Sequence, residues 1–546
     1  MYLVEGKKGS PDEDLVKDHL FKNVLGSAAF FTHAEVLDLL SLNGFRSIYH
    51  CSVPVSTSSS CTLYFVERPQ VSFPPVAPLT DSDAEKDLLS AVSSATSLRG
   101  PPSTAEWHDL WAAWDLVTLS MIPPSMLHQK PIDLRHKCLF YIGHIPTFLD
   151  MLLSKALDEP NTEPKNFTQI FERGIDPHVD DPDRCHRHSE VPVNDEDWPT
   201  LATVLDFRTR VRQRLLALYA DVAAGRRQLS RHIARMLCMT LEHEGWHVET
   251  LLYMLIQRAG TGTLPPPGFT TPPWAALAEQ WNANPAPETA TVTLGPVDVT
   301  LGHHDSEAED FKSSPDTDGD NNVYDNVMSH VFGWDNESPV RTVRVGAFRA
   351  EWRPVSNSEF YAYFAASSGS VPIPPSWVMS SEDAMPMVRT LYGPVPFAVA
   401  QHWPVLTSYD SMVAYARSKG GRLPTEPELR LFLDTYDVGH SGGANVGFRN
   451  WHPVPATAGL DDVNGGRGSN GGVWEWTSTA FEGHEGLVGT QHFPGYSDDF
   501  FDGKHQIVLG ASYATIPRLA ARRTVRNFYQ HNYPYPWVGA RVVYDA

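Results

Sequence analysis

Two histidines stand four residues apart in Leu241-Glu-His-Glu-Gly-Trp-His-Val-Glu249. Residues four apart share one face of a helix, so His243 and His247 can grip one metal ion together. The flanking sequence predicts that helix. Ile233, Met236, Thr240, His243, His247, Leu251 and Met254 recur at steps of three and four, the spacing of a buried stripe. Buried polar groups need partners. Two imidazoles in register, flanked by Glu242, Glu244 and Glu249, point to a metal rather than to two hydrogen-bonded core histidines. The same letters spell His-Glu-x-x-His, in which Glu244 would be the general base of a zinc hydrolase. That alternative needs a third ligand downstream. The metzincin pattern fails at Thr250 and Tyr253, and Glu279 and Glu288 lie beyond Pro265-Pro266-Pro267.

The elements that must position the pair are legible. Ser103 and Glu106 make a capping box at a helix start, and Trp107, Trp111, Trp114, Thr118 and Met121 continue one face until Pro123-Pro124. A second helix is expected over about 131–157, with Phe140, His144 and Phe148 four apart. A third is expected over about 198–224, and a fourth, carrying the histidine pair, over about 228–258. Four helices with apolar stripes describe an antiparallel bundle, whose core is a usual place for metal ligands. His144 is the best third ligand, and His136, eight residues earlier, is its competitor. The long loop at about 159–194 holds Arg173, Arg184, Arg187, Cys185, His178, His186 and His188. Long loops in compact domains are often functional. A cation there, Arg173 first, can hold a substrate carboxylate; the competing reading is a solvated surface loop.

The whole chain has 546 residues, room for about three domains by the usual length prior. Its net charge of −22 and sequence pI near 5.4 argue against a nucleic-acid or anionic-membrane surface. No run of eighteen apolar residues predicts a transmembrane helix. The first residues carry no signal-peptide core, and five cysteines without zinc-ribbon spacing read as reduced thiols, so a cytoplasmic location is expected. The chain is expected to divide into a small α/β segment (1–75), a connector (76–100), the helical bundle with the metal site (101–272) and a second large domain (273–546). After Pro272-Pro273 helical periodicity fades. Helices are expected at Asn357 to Ser367 and Asp410 to Lys419, and from Thr425, which Glu428 can help to cap. The acidic segment Asp305 to Asp325 is expected to be a mobile insertion.

Specific phrases carry a resemblance. Pro354-Val-Ser-Asn-Ser-Glu-Phe360, Gly421-Arg-Leu-Pro-Thr-Glu426, Gly472-Val-Trp-Glu-Trp476 and Val538-Gly-Ala-Arg541 resemble the signature blocks of the formylglycine-generating-enzyme (sulfatase-modifying factor) fold, a relative of C-type lectins. Tyr141-Ile-Gly-His144 and the His-x3-His-x-Glu run ending at Glu249 resemble a DinB-like helical domain. The implied fold class is α+β multidomain, a DinB-like four-helix bundle followed by a C-type-lectin-like domain. Together the two resemble the non-haem iron sulfoxide synthases of ergothioneine and ovothiol biosynthesis, most of all the fungal-type hercynylcysteine sulfoxide synthase. Residues 1–75 resemble the closing segment of a class I methyltransferase, without a Gly-rich nucleotide loop.

The resemblance implies Fe(2+) held by His144, His243 and His247. The implied substrates are hercynine, cysteine and O2, with histidine in place of hercynine for the ovothiol-type alternative. It implies a betaine site at Asn527, Phe528 and Tyr529, where aromatic faces can hold a trimethylammonium group that offers no N–H donor. The bacterial catalytic tyrosine falls at Phe493, which leaves Tyr496 as the nearby candidate. Trp246 stands where bacterial relatives often have Gln, and Phe528 where they have Trp. A formylglycine-generating enzyme needs thiols in this half, yet no cysteine follows Cys238. A non-catalytic binding protein built on both folds is the remaining alternative.

Overall fold

The computed structural model describes residues 98–546 apart from 134, 186, 259–261, 264, 267, 312–326, 380–384 and 461–463, and before them the backbone of four strands. Those strands are β1 (Tyr2–Glu5), β2 (Phe30–Phe31), β3 (Arg46–Ser56) and β4 (Ser59–Glu67), ordered β2-β1-β4-β3. β3 and β4 pair antiparallel; Phe31, where a helix running to Leu40 is expected from the sequence, is instead in β2, and residues 32–40 lie outside the described residues.

Four long helices follow, and each begins where its sequence dictates. In α1 (Thr104–Asp115) the Ser103 side chain accepts from Glu106 N while Glu106 caps in return, and the chain runs on as a π-turn, Leu116–Ser120. α2 spans Cys138–Leu157, α3 Leu201–Ala223 and α4 Arg231–Gln257. Thr200 and Ser230 cap the last two by accepting from Thr203 N and Ile233 N. α2 packs on α3 and α4, and α1 on α4. The tryptophan face of α1 is wholly buried in the core they share. The second helix was expected to start near Pro131. It starts at Cys138, because Cys138 N and Leu139 N bond back to Gln129 O and Leu127 O and tie the preceding segment as a loop.

The second domain opens with a helix the sequence reading missed, α5 (Trp274–Ala283). Its stripe is short, Trp274, Leu277, Ala278 and Trp281, and none of its residues is fully buried. Three more helices match expectation: α6 (Asn357–Ala366), α7 (Tyr409–Ser418) and α8 (Glu426–Tyr436), the first and last with complete capping boxes. Most of the rest is loops and short strands. The central sheet is ordered β7-β6-β5-β8, from β5 (Trp474–Ala480), β6 (His505–Gly510), β7 (Asn527–Gln530) and β8 (Val538–Gly539). The signature blocks form its buried frame: Arg541 makes a two-pronged pair with Glu475, and Arg526 pairs with Glu426. Among the described residues no helix is long and apolar enough to cross a membrane.

The two domains meet along α4. Glu242 accepts from the Trp334 indole at 2.9 Å and pairs with Arg522, which also grips Glu337. Seven residues on, Glu249 accepts from the Trp474 indole and the Thr515 hydroxyl, both at 2.7 Å. Between them Gly245 leaves room for Ile516, whose Cδ1 would stand 2.5 Å from any Cβ. The acidic segment is not loose at its start. Asp305 and Asp310 are buried against Arg231 and Arg235 of α4, so that expectation fails for residues 305–311; residues 312–326 are outside the described set.

Removing one partner of a buried ion pair strands the other charge. Arg522→Met should therefore lower unfolding free energy by about 3–5 kcal/mol, read as a shifted urea midpoint. A loss under about 1 kcal/mol, the range of a solvated pair, would show that the seam does not depend on this cation.

Candidate metal centre

The third histidine is set by a close approach between α2 and the loop after it. At Gly143 a Cβ would stand 2.6 Å from the Phe171 ring, so only glycine lets that ring in. The Phe171 carbonyl then accepts from His144 Nδ1 at 2.7 Å. A carbonyl can only accept, so Nδ1 carries the proton and Nε2 keeps its lone pair. That Nε2 lies 3.2 Å from His247 Nε2. The His144, His243 and His247 rings are 4.5–5.1 Å apart by centroid. One ligand atom from each falls within 4.8 Å of the others. Phe148 stacks on His243 at 3.7 Å and Phe140 on His144 at 5.4 Å, fixing the ring planes.

The donor set suits a first-row transition ion. Burial lowers the pKa of His144 to about 4. The His243 and His247 pKa values also fall well below the ordinary 6.5, through burial first and neighbouring imidazoles second. All three rings are therefore neutral, as metal ligation requires. His247 Nδ1, the Tyr141 hydroxyl and the Trp246 indole N–H are buried without a protein partner. His136 is not brought to the cluster's ligand set. It stacks on Phe140, and burial and nearby His188 lower its pKa to about 3.

Glu244 points elsewhere, which removes the zinc-hydrolase reading. It lies between α1 and α3 among Trp111, Trp114, Arg208 and Arg212. Burial raises its pKa to about 7. Its neighbour Glu249 is spent on the domain seam.

The other sequence candidates divide. Arg173 pairs with Asp499 at 2.6 Å and lies over Phe493 at 5.5 Å, so the cation is already matched to a carboxylate of the second domain. Phe493 meets Phe148 at 5.1 Å, one ring from His243. Tyr496 instead stacks on Trp334 at 4.1 Å. Its pKa is held well above the ordinary value, by burial first and then by Asp335, Glu337 and Glu242. Strand alternation separates the betaine trio. Asn527 Nδ2 donates to the Tyr529 hydroxyl at 3.3 Å, and Tyr529 faces Tyr253, Trp476 and Tyr533. Phe528 turns to the opposite face and stacks on Phe481 at 3.9 Å, in the separate core with Phe500. It does not join the other two.

Sequence reasoning missed a second cation whose field extends to the imidazoles. Arg135 lies 5.2 Å over the Tyr533 ring and pairs with Asp176 at 3.5 Å. Its charge is felt by His247 and Tyr141. Only its place nine residues before His144, in a segment read as helix, marked it in the sequence. Tyr141 meets the His247 ring at 6.2 Å, and Tyr253, Tyr529 and Tyr533 form one ring cluster against Arg135.

Comparison with known proteins agrees with this anatomy. Residues 104–251 match the DinB superfamily and residues 276–546 the sulfatase-modifying factor enzyme 1-like domain. The chain is 36% identical to Ergothioneine biosynthesis protein 1 of Neurospora crassa, over 86% of this chain and 60% of that protein. It is 35% identical to Ergothioneine biosynthesis protein 1 of Schizosaccharomyces pombe, over 81% of this chain and 56% of that protein. Hercynine oxygenase of Mycobacterium tuberculosis is 26% identical over 39% of this chain and 56% of its own length. The chain thus spans less than two thirds of each of these curated relatives.

The buried neutral histidines set a pH dependence. In the unfolded chain the rings take up protons as pH falls through about 6.5. In the folded, metal-free chain His136 and His144 resist until about 3 and 4. The unfolded state binds more protons in that window, so stability falls as pH drops from 6.5 toward 4. Urea midpoints of metal-free protein at pH 7.5 and 5 check this, and His136→Phe should flatten the slope. A midpoint that holds or rises at pH 5 would mean the rings are protonated and paired in the fold.

Proposed function

The chain joins a DinB-superfamily domain to a sulfatase-modifying factor enzyme 1-like domain, and from that pairing we propose an iron(II)- and O2-dependent sulfoxide synthase acting on hercynine and cysteine. The observation that carries the reading is the set of three neutral imidazoles, His144, His243 and His247, converging at the seam of these two domains. The named relatives support the substrate class: two are ergothioneine biosynthesis proteins and one a hercynine oxygenase. The parts we propose are 1–75, the 76–100 connector, the 101–272 bundle and the 273–546 domain. A cytoplasmic site of action fits the free, buried thiols Cys138 and Cys238.

The proposed reaction balances simply. The imidazole C–H and the thiol S–H give way to a C–S bond, and O2 takes four electrons, leaving one oxygen on sulfur and one in water. Iron(II) bound by the three histidines supplies the one-electron chemistry that lets O2 react. The protein's own work is placement and exclusion. Arg135 is set to hold a substrate carboxylate beside His247, a role the sequence reading gave to Arg173. Arg173 instead holds the Phe493 loop down through Asp499. Tyr253, Trp476, Tyr529 and Tyr533 form an aromatic wall for a trimethylammonium group, worth about 0.5–2 kcal/mol per favourable contact. The Tyr496 hydroxyl keeps its proton to high pH and is the available donor on the Trp334 side. Phe148, Phe493 and Trp246 shed water from the His243 side.

Mass spectrometry of iron-loaded protein with hercynine, cysteine and O2 tests the reading; the expected product is the sulfoxide conjugate. His144→Ala, His243→Ala and His247→Ala should each abolish iron retention and product without unfolding the chain. Arg135→Gln should raise the KM of a carboxylate substrate by about 10-fold or more, the loss expected when one charge-assisted hydrogen bond is removed, with iron content unchanged. No product from fully iron-loaded protein would sink the proposal, and turnover that prefers unmethylated histidine would move it to the ovothiol-type reaction.

A further inference from the structure

A second cluster of metal-binding side chains lies away from the three-histidine centre. His232 is on the first turns of α4, eleven residues before His243, or about 16 Å along the helix axis. Asp310 comes from the acidic segment and His492 from the loop that carries Phe493 and Tyr496. One ligand atom from each lies within 4.8 Å of the others. The His492 side chain is only 4% exposed, yet neither of its ring nitrogens has a hydrogen-bond partner; His232 Nδ1 has none either. His492 Nε2 faces two carboxylates beyond hydrogen-bond length but within ion-pair range, Glu307 at 3.8 Å and Asp310 at 3.9 Å.

The surrounding groups are matched, which makes the bare imidazole conspicuous. Asp310 holds Arg231 and Arg235, which Asp305 also neutralises. Gln491 N donates to Glu307, Thr490 N to Asp335, and His492 N to the Thr490 hydroxyl. Lys155 donates to the Gln491 and His492 carbonyls, and its charge also disfavours protonation of His232. A buried polar group left unpaired in otherwise satisfied surroundings calls for an unseen partner. Two imidazoles and one or two carboxylates form a donor set of the zinc type.

We propose that His232, Asp310 and His492, with Glu307 alongside, form a second metal site that takes a divalent ion of the zinc class and fastens the 489–496 loop to α4. The role is structural. The ion ties together the helix that carries His243 and His247 and the loop whose Phe493 closes over Phe148 and whose Tyr496 stacks on Trp334. The inference does not depend on the reaction proposed above.

The test titrates chelator-stripped full chain with Zn2+ alone and counts ions retained through gel filtration. The parent should keep two per chain. His243→Ala with His247→Ala should keep one, as should His492→Phe, and the combination none. Because the His492 ring nitrogens lack partners, His492→Phe should fold at least as well as the metal-free parent. In the His243→Ala, His247→Ala background Zn2+ should raise the Tm, and adding His492→Phe should erase that rise. Equal zinc retention with and without His492→Phe, in the parent or in the His243→Ala, His247→Ala background, overturns the site. So does a His492→Phe chain that is less stable than the metal-free parent and is indifferent to zinc. That result would make His492 a protonated partner of Glu307 and Asp310 instead.

Discussion

Helix α4 must be buried on two faces that want opposite things. One face presents His243 and His247 as neutral imidazoles. The adjacent face presents Glu242 and Glu249, seven residues apart and both sealed from water. A buried carboxylate is tolerable only where donors are placed for it. The second domain supplies those donors from separate stretches of chain: Trp334, Trp474 at the start of β5, Thr515 and Arg522. A slip of one helical residue would leave a carboxylate facing apolar surface. The acid pair therefore sets the register in which the domains meet, and the metal centre inherits that register.

That constraint explains why the loop at 489–500 can cover the imidazoles without a long element of its own. It is tied at one end by Thr490 to Asp335 and at the other by Arg173 to Asp499, with Ser497 donating to Asp335 between them. Trp334 serves both tasks, donating to Glu242 while its face receives Tyr496. Short irregular segments become rigid here because each polar end is matched by a buried partner, the usual condition for placing reacting groups closely.

The bundle was legible because its signals are local. A capping box, a stripe at steps of three and four, and an i,i+4 histidine pair all fall within a few turns of chain. His144 was reachable from the bundle model alone. What the sequence hid is long-range. Arg135 and Arg173 are both arginines near the centre, and only the fold shows that Asp499 takes the second while the first sits against Tyr533 and Asp176. The loop ahead of α2 read as helix because its backbone bonds to residues 127 and 129 leave no trace in periodicity. The start of the acidic segment read as mobile because its net charge is visible and its partners, Arg231 and Arg235, are some seventy residues away. Of the second cluster, no two members share an element.

The fate of Asn527-Phe528-Tyr529 shows how a motif can survive while its parts change sides. Consecutive strand residues point to opposite faces, so a tripeptide in β7 cannot present three side chains to one ligand. Asn527 and Tyr529 share the face toward Tyr253 and Trp476; Phe528 is committed to Phe481 and the core beneath. Tyr529 instead meets rings on other elements, Tyr253 of α4 and Trp476 of β5 among them. One of those rings belongs to the bundle and the other to the second domain. That ring cluster, like the contact of Phe493 with the Phe148 ring beside His243, forms only when the two domains are docked. The carboxylates that hold α4 in register thus govern the placement of these rings and of the three imidazoles together, though neither Glu242 nor Glu249 is part of the three-imidazole set.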